Sequence, residues 1–264
     1  MTSILQSEGG VMHIPEFLYS IYERRLIRQL AGQKLPAHIG IILDGNRRWA
    51  KSLGVATASG HRKGADHVSE VLGWCDKAGI KIVTLWMLST ENLSRAKDEL
   101  ADLLDIIARL VENLAAEGHW RLLPIGDLEL LPADIANRIR SACAHTENCQ
   151  GLTVNVAIGY GGRQEITWAV QSYLLEQADR GGDLREVAEN ISAEAITNHM
   201  YTRGQPDPDL IIRTSGEQRM SGFLLWQTVH TEFYFCETYW PDFRRTDFLR
   251  AMRDYSQRER RLGK

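Results

Sequence analysis

Residues 39–71 read IGIILDGNRRWAKSLGVATASGHRKGADHVSEV. Four aliphatic residues, interrupted only by Gly40, make a run short enough for a fully buried strand before the chain switches to Asp44-Gly45-Asn46-Arg47-Arg48-Trp49. Ligands of an open α/β sheet bind at the carboxyl ends of its strands. Asp44 is therefore expected at a strand tip facing a crevice, with Gly45 letting backbone amides approach a ligand. A carboxylate beside two arginines suits a magnesium-bound phosphate, the acid holding the metal and the arginines the oxygens. An acid so placed is expected to support the metal and little of the core. Gly60-His61-Arg62-Lys63-Gly64 then opens an apolar-periodic segment through Val68, Val71, Leu72 and Cys75. This predicts a helix whose positive end points toward the same phosphate. Asp-Gly after a strand is also the commonest turn signal, so a plain turn is the alternative for that pair taken alone. Neither the Walker fingerprint nor the dinucleotide-binding glycine fingerprint occurs in the chain.

The 264-residue chain is 44% hydrophobic and 25% charged, which is enough apolar content to bury a sizeable core. A formal net charge of −3 argues against a nucleic-acid partner. Cys75, Cys143, Cys149 and Cys236 show neither a C-x-x-C pair nor histidines at metal-ligand spacing, so a reducing cytoplasm fits better than a zinc site or disulfide framework. The amino terminus lacks the features of a signal peptide and no apolar run is long enough to span a bilayer; a soluble protein is expected. Ile14, Leu18, Ile21, Leu26 and Leu30 recur at roughly helical spacing with Arg24, Arg25 and Arg28 among them. They predict an amphipathic helix in an extension, residues 1–34, ahead of a domain spanning 35–264. Such a helix suits peripheral membrane contact or, more commonly, packing on its own domain.

Beyond the first unit, strands are predicted at 80–88, 121–125, 152–158 and 210–213, with a weaker one at 233–235. Helical patterns at 100–114, 133–144, 163–177 and 243–261 separate them. The alternation implies a single α/β domain with a mostly parallel sheet wrapped by helices. Its strands end in polar chemistry: Ser89-Thr90-Glu91-Asn92-Leu93-Ser94-Arg95, Gly159-Tyr160-Gly161-Gly162-Arg163, and Arg213 through Ser221. If these tips meet beside Asp44, the cleft collects Arg48, Arg95, Arg213, Arg219 and Ser221. Clustered guanidinium groups call for anions, and a diphosphate offers matching bidentate geometry. The plainer arrangement scatters these arginines over the surface as ordinary ion pairs.

The segments DGNRRWAK, GHRKGA, STENLSR, NVAIGYGGR, IRTSGEQRMSGFLLWQ, TEFYF and WPDF occur in this order from residue 44 onward. Together they resemble the successive signature blocks of the undecaprenyl diphosphate synthase family, the cis-prenyltransferases. The long amino-terminal extension and the closing Arg261-Leu262-Gly263 further resemble the actinobacterial branch that makes short Z-isoprenyl diphosphates.

The resemblance implies a six-stranded parallel sheet wrapped by helices and a homodimeric, magnesium-dependent enzyme. Such an enzyme condenses isopentenyl diphosphate with an allylic diphosphate, geranyl or farnesyl, to form a cis double bond. Asp44 would be the magnesium-linked catalytic residue. Gly45, Asn46, Arg47, Arg48 and Trp49 would cradle the allylic diphosphate with help from His61. Ser89, Thr90, Glu91, Asn92 and Arg95 would form a mobile catalytic loop. Arg213, Arg219, Met220 and Ser221 would hold the diphosphate of isopentenyl diphosphate. Glu232 would help bind magnesium from across the dimer interface, and Arg261 would add a contact in trans. Asn92 counts among the catalytic residues by resemblance, yet a neutral amide has almost no basicity near pH 7, so it is read as a positioning group. Met87, just before the catalytic loop, would limit product length to about that of farnesyl by projecting into the apolar path of the growing chain; core filler is its plainer role.

Thr57, Leu93 and Gln218 depart from the residues common in the family, each removing a possible substrate contact. A longer-chain synthase and a non-catalytic partner subunit of a heteromeric prenyltransferase are the family alternatives. Non-catalytic partners typically lose the aspartate and phosphate loop that this chain retains. A nucleotide-binding α/β regulator is a third reading, disfavoured by the missing fingerprints.

Overall fold

The apolar run of the decisive stretch lies at the centre of a parallel sheet. The computed structural model describes residues 16–258, with side chains from residue 19 onward. Helix α1 (Glu16–Leu30) precedes β1 (His38–Ile42), and three short helices follow: α2 (Asn46–Ser52), α3 (Thr57–Asp66) and α4 (Val68–Lys77). Then come β2 (Ile82–Ser89), α5 (Lys97–Glu117), β3 (Arg121–Ile125), α6 (Ala133–His145) and β4 (Thr153–Tyr160). The described chain ends through α7 (Gly162–Asp179), α8 (Leu184–Asn190), α9 (Ala193–Thr197), β5 (Leu210–Arg213), β6 (Glu232–Phe235) and α10 (Arg245–Gln257).

All six strands are parallel, in the order β3-β4-β2-β1-β5-β6. β1 is fully buried, as its continuous apolar run requires. Ile39 and Ile41 point to one face with Val83, Leu85, Val154, Val156 and Ile212, where α4, α5, α6 and α10 complete the main core. Ile42, Ala157 and Ile211 serve the opposite face, packing with Tyr160 and Phe223. The chain leaves β1 toward β2 on one side and leaves β5 toward β6 on the other. Diverging exits from neighbouring strands open a crevice, and here Asp44 follows β1 while Arg213 ends β5 in register with Ile42.

Three expectations change. The stretch read as a polar loop is already helical from Asn46, and the single predicted helix after Gly60 is two helices meeting at His67. The left-handed Gly45, φ 109°, starts α2, and a Cβ there would lie 2.8 Å from Tyr239, so both backbone and packing require glycine at this position. Finally, β2 carries a bulge. Trp86 pairs with Ala157 and Leu88 with Ile158, leaving Met87 unmatched, so Met87 and Leu88 both serve the main-core face.

Helix α1 packs on α10. Leu26 is fully buried, Arg250 sits 5.1 Å over the Tyr22 ring and Arg244 sits 5.0 Å over Tyr19. Ile14 lies outside the described residues, as does the part of the last predicted helix beyond residue 258. Among the described residues no helix is long and apolar enough to cross a membrane.

Candidate active site

A cleft of about 950 Å³ opens at the carboxyl ends of β1, β2 and β5. Its polar lining includes Asp44, Asn46, Arg47, Arg48, His61, Ser89, Asn92 and Arg95 from the first half of the chain, and Arg213, Arg219 and Ser221 from the second. Gly45 and Met87 line it as well. The scattered-arginine alternative is thereby excluded: five guanidinium groups share one cavity.

Asp44 is tied down from several directions. Its amide donates to Thr214 Oγ1 at 3.0 Å, and the Thr214 hydroxyl donates back to the Asp44 carbonyl at 2.7 Å. Arg213 Nη2 donates to Asp44 Oδ2 at 2.8 Å, with Arg48 Nη2 3.4 Å from Oδ1. Burial works to raise the Asp44 carboxyl, but the Arg213 hydrogen bond and charge outweigh it and hold it below the usual carboxylate range. The Arg213 side chain is only 5% exposed; its other Nη1 donates to Ser221 Oγ at 2.9 Å and to the Arg219 carbonyl. Asp44 thus buttresses a buried guanidinium, contrary to the expectation that a strand-tip acid supports little of the fold.

A second constellation comes from α2, α3 and the start of α5. Glu99 lies 3.4 Å from both Arg47 Nε and Arg95 Nη1, and Arg95 Nη2 donates to Asn92 Oδ1 at 2.8 Å. Burial, then the Arg95 charge, pushes His61 down to about 4, so its ring is neutral at pH 7. His61 Nε2 and Asn46 Oδ1 are buried without protein partners. Helix α3 comes this close because a Cβ on Gly64 would sit 2.2 Å from Asn46 Oδ1. Trp240 Nε1 fastens the same point by donating to the Gly64 carbonyl at 2.8 Å, which gives the WPDF segment a structural use.

The apolar lining is built from Val68, Met87 and one face of α5, Leu103, Ile107 and Leu110. Their i, i+4, i+7 spacing was legible as a helix face but not as a cavity wall. Glu217, which lines the cleft, and Ser215, whose hydroxyl accepts from Arg48 Nη2 at 2.6 Å, escaped sequence reasoning although both lie inside a quoted segment. Trp49, Thr90, Glu91 and Met220 do not line the cleft; Thr90 Oγ1 is buried without a partner and Met220 packs in the smaller sheet-face cluster. Glu232 begins β6 and pairs with Arg258 at 2.5 Å, at the opposite end of the strands from Asp44. Arg261 lies outside the described residues.

The family model described as putative undecaprenyl diphosphate synthase matches residues 42–263. A relative named (2Z,6E)-farnesyl diphosphate synthase, from Thermobifida fusca, is 56% identical over 255 residues, covering 96% of this chain and 99% of its own. The short-chain Z-isoprenyl diphosphate synthase of Mycobacterium leprae is 50% identical over 255 residues, covering 95% and 97%. Lavandulyl diphosphate synthase from Lavandula x intermedia, solved in complex with dimethylallyl diphosphate, superposes with a TM-score of 0.80 at 34% identity, covering 87% of this chain and 99% of that one. With a matching family model, relatives at half identity or more and a solved structure that superposes over most of both chains, the chain belongs to the undecaprenyl diphosphate synthase family of prenyltransferases.

Proposed function

We propose that the protein is a cis-prenyltransferase that joins an allylic diphosphate, geranyl or farnesyl, to isopentenyl diphosphate and releases a short Z-isoprenyl diphosphate of about farnesyl length. One observation carries the reading: a single cleft combines five arginines around Asp44 with the apolar wall of Val68, Met87, Leu103, Ile107 and Leu110. A charged head and a hydrocarbon tail each find a matching surface there. The names of the relatives support the Z geometry and the short product.

Asp44 is proposed as the catalytic carboxylate that helps hold magnesium. Among the described residues no group of three or more histidine, cysteine, aspartate or glutamate side chains is placed to hold a metal. Asp44, one of two carboxylates lining the cleft together with Glu217, still fits magnesium, which is usually bound by one or two carboxylates together with phosphate oxygens and water. When bound, magnesium withdraws charge from the allylic diphosphate and makes it a better leaving group. Arg47, Arg48 and Arg95, with Asn46 and neutral His61, hold that diphosphate and stabilise the charge that grows on it as its carbon–oxygen bond breaks. Arg213, Arg219 and Ser221 hold isopentenyl diphosphate, whose terminal carbon forms the new bond and whose C2 proton passes to a diphosphate oxygen. Asn92 positions Arg95.

A homodimer is part of the proposal. Glu232 is level with Ile39 through Leu210, so it lies five residues back along the strands from Asp44 and two strands across, a separation of about 19 Å at roughly 3.3 Å per residue and 4.8 Å per strand; Glu232 therefore serves a metal at Asp44 only from a second copy. Cytoplasmic location and, through α1, peripheral membrane contact are further parts of the proposal.

Purified protein given magnesium, geranyl diphosphate and radiolabelled isopentenyl diphosphate should transfer label into an organic-extractable diphosphate. No incorporation by folded protein alone, but restored turnover with a second prenyltransferase chain, would identify a non-catalytic subunit instead.

A further inference from the structure

One carboxylate bridges the two sides of the cleft. Glu217 Oε1 lies 3.1 Å from Arg48 Nη1, and its Oε2 pairs with Arg219 Nη1. Arg48 belongs to α2, after β1, whereas Arg219 belongs to the loop after β5, so Glu217 spans the crevice between the groups assigned to the two diphosphates. Its backbone setting is specific. Ser215 and Gly216 are both left-handed, with φ of 82° and 75°, and their amides donate to the carbonyls of Thr238 and Cys236 at 2.8 Å. A serine in this region is costly, unlike the glycine after it, and such strain collects at functional sites. Arg48 does not depend on Glu217 for its place, since it also reaches Ser215 Oγ and Asp44, whereas the Arg219 side chain, 64% exposed, is held by Glu217 itself.

We propose that Glu217 is an internal competitor for diphosphate. It neutralises Arg48 and Arg219 through ion pairs that a diphosphate must displace, and it returns to them as inorganic diphosphate leaves. This rests on the reading that Arg48 and Arg219 receive the two diphosphates. A diphosphate carries more charge than one carboxylate and wins the exchange, but with its affinity reduced. Guanidinium groups converging on a leaving group otherwise retain it after the reaction, and product release often limits enzyme turnover. Glu217 therefore acts on affinity and release, whereas a strut that merely orients the arginines would strengthen binding.

The two roles predict opposite signs. Calorimetric titration of inorganic diphosphate with magnesium into the parent and Glu217→Gln proteins separates them. Removing two partly exposed ion pairs should make the variant bind about five- to tenfold more tightly. In steady state, kcat and the KM values for both substrates should fall together. Equal or weaker binding by Glu217→Gln would overturn the proposal, and Glu217→Ala, read the same way, serves if the glutamine variant unfolds. Failure of the parent itself to bind inorganic diphosphate would instead sink the underlying functional reading.

Discussion

Replacing Asp44 by alanine should destabilise the protein as well as silence it. Asp44 Oδ2 accepts from Arg213 at 2.8 Å, and the Arg213 side chain is 5% exposed with its Nε buried and unpartnered. Deleting the carboxylate leaves that guanidinium with only the Ser221 hydroxyl and the Arg219 carbonyl, in a cleft that already holds four other arginines. Breaking a fully buried ion pair by removing one partner costs ~3–5 kcal/mol. The Asp44 side chain is 30% exposed, so water relieves part of this and ~2–3 kcal/mol is expected. For a chain of this size each kcal/mol lowers Tm by about 2–4 °C, giving a drop of about 4–12 °C. An amide in place of the carboxylate keeps an acceptor oxygen for Arg213, so Asp44→Asn should lose roughly half as much stability while losing as much turnover. Urea unfolding with parallel calorimetry measures both variants. An Asp44→Ala protein within about 0.5 kcal/mol of the parent would refute the buttressing role.

Arg219→Ala should chiefly raise KM for isopentenyl diphosphate and Arg48→Ala chiefly impair use of the allylic substrate; steady-state kinetics with each substrate varied would show equal losses in both variants if the two-cluster arrangement is wrong. Met87→Ala should lengthen the products, because each added five-carbon unit gains roughly 4 kcal/mol of burial in an open apolar path and only an obstruction stops it. Chromatography of dephosphorylated products checks this, an unchanged distribution in an active variant showing Met87 to be mere packing. Gly64→Ala places a Cβ 2.2 Å from Asn46 Oδ1 and 2.9 Å from Trp240, so it should cost ~1–3 kcal/mol and most of the activity, read by melting and turnover together. Stability should also fall on acidification between pH 6.5 and about 4, since burial lowers His61 to about 4 and the unfolded chain takes up the proton first. Buried His38, lowered in the same direction by burial, adds to the slope. The His61 share is about 3 kcal/mol, lost below that window, and a His61→Gln melt no flatter against pH than the parent's would contradict it.

Much of the fold was legible because the central strands are buried on both faces. The runs at 121–125 and 210–213 match their strands at both ends, since charge or turn residues bound them abruptly. Helix α2 was not legible. Its seven residues start from a glycine with no side-chain cap and consist largely of polar residues, so it carries neither a start signal nor apolar periodicity. The Met87 bulge was hidden for another reason: an inserted residue in a continuous apolar run leaves no mark on composition, only on pairing with β4.

The site divides in the same way. Asp44 and the arginines announced themselves as charge at the ends of apolar runs, and the sheet brings them together at the β1/β5 crevice. Glu217 and Glu99 did not, because an acid among basic residues reads as an ordinary solvated pair until its two partners are seen to come from different elements. Glu232 stood in a signature segment, yet only the strand register reveals that it begins β6 far from Asp44.

The most direct test is the structure of the product made from geranyl diphosphate and 13C-labelled isopentenyl diphosphate in the presence of magnesium. NMR of the purified product should show a fifteen-carbon diphosphate whose newly formed double bond is Z, formed only when both substrates are present. An E double bond, or no carbon–carbon bond formation by the folded protein, would contradict the account.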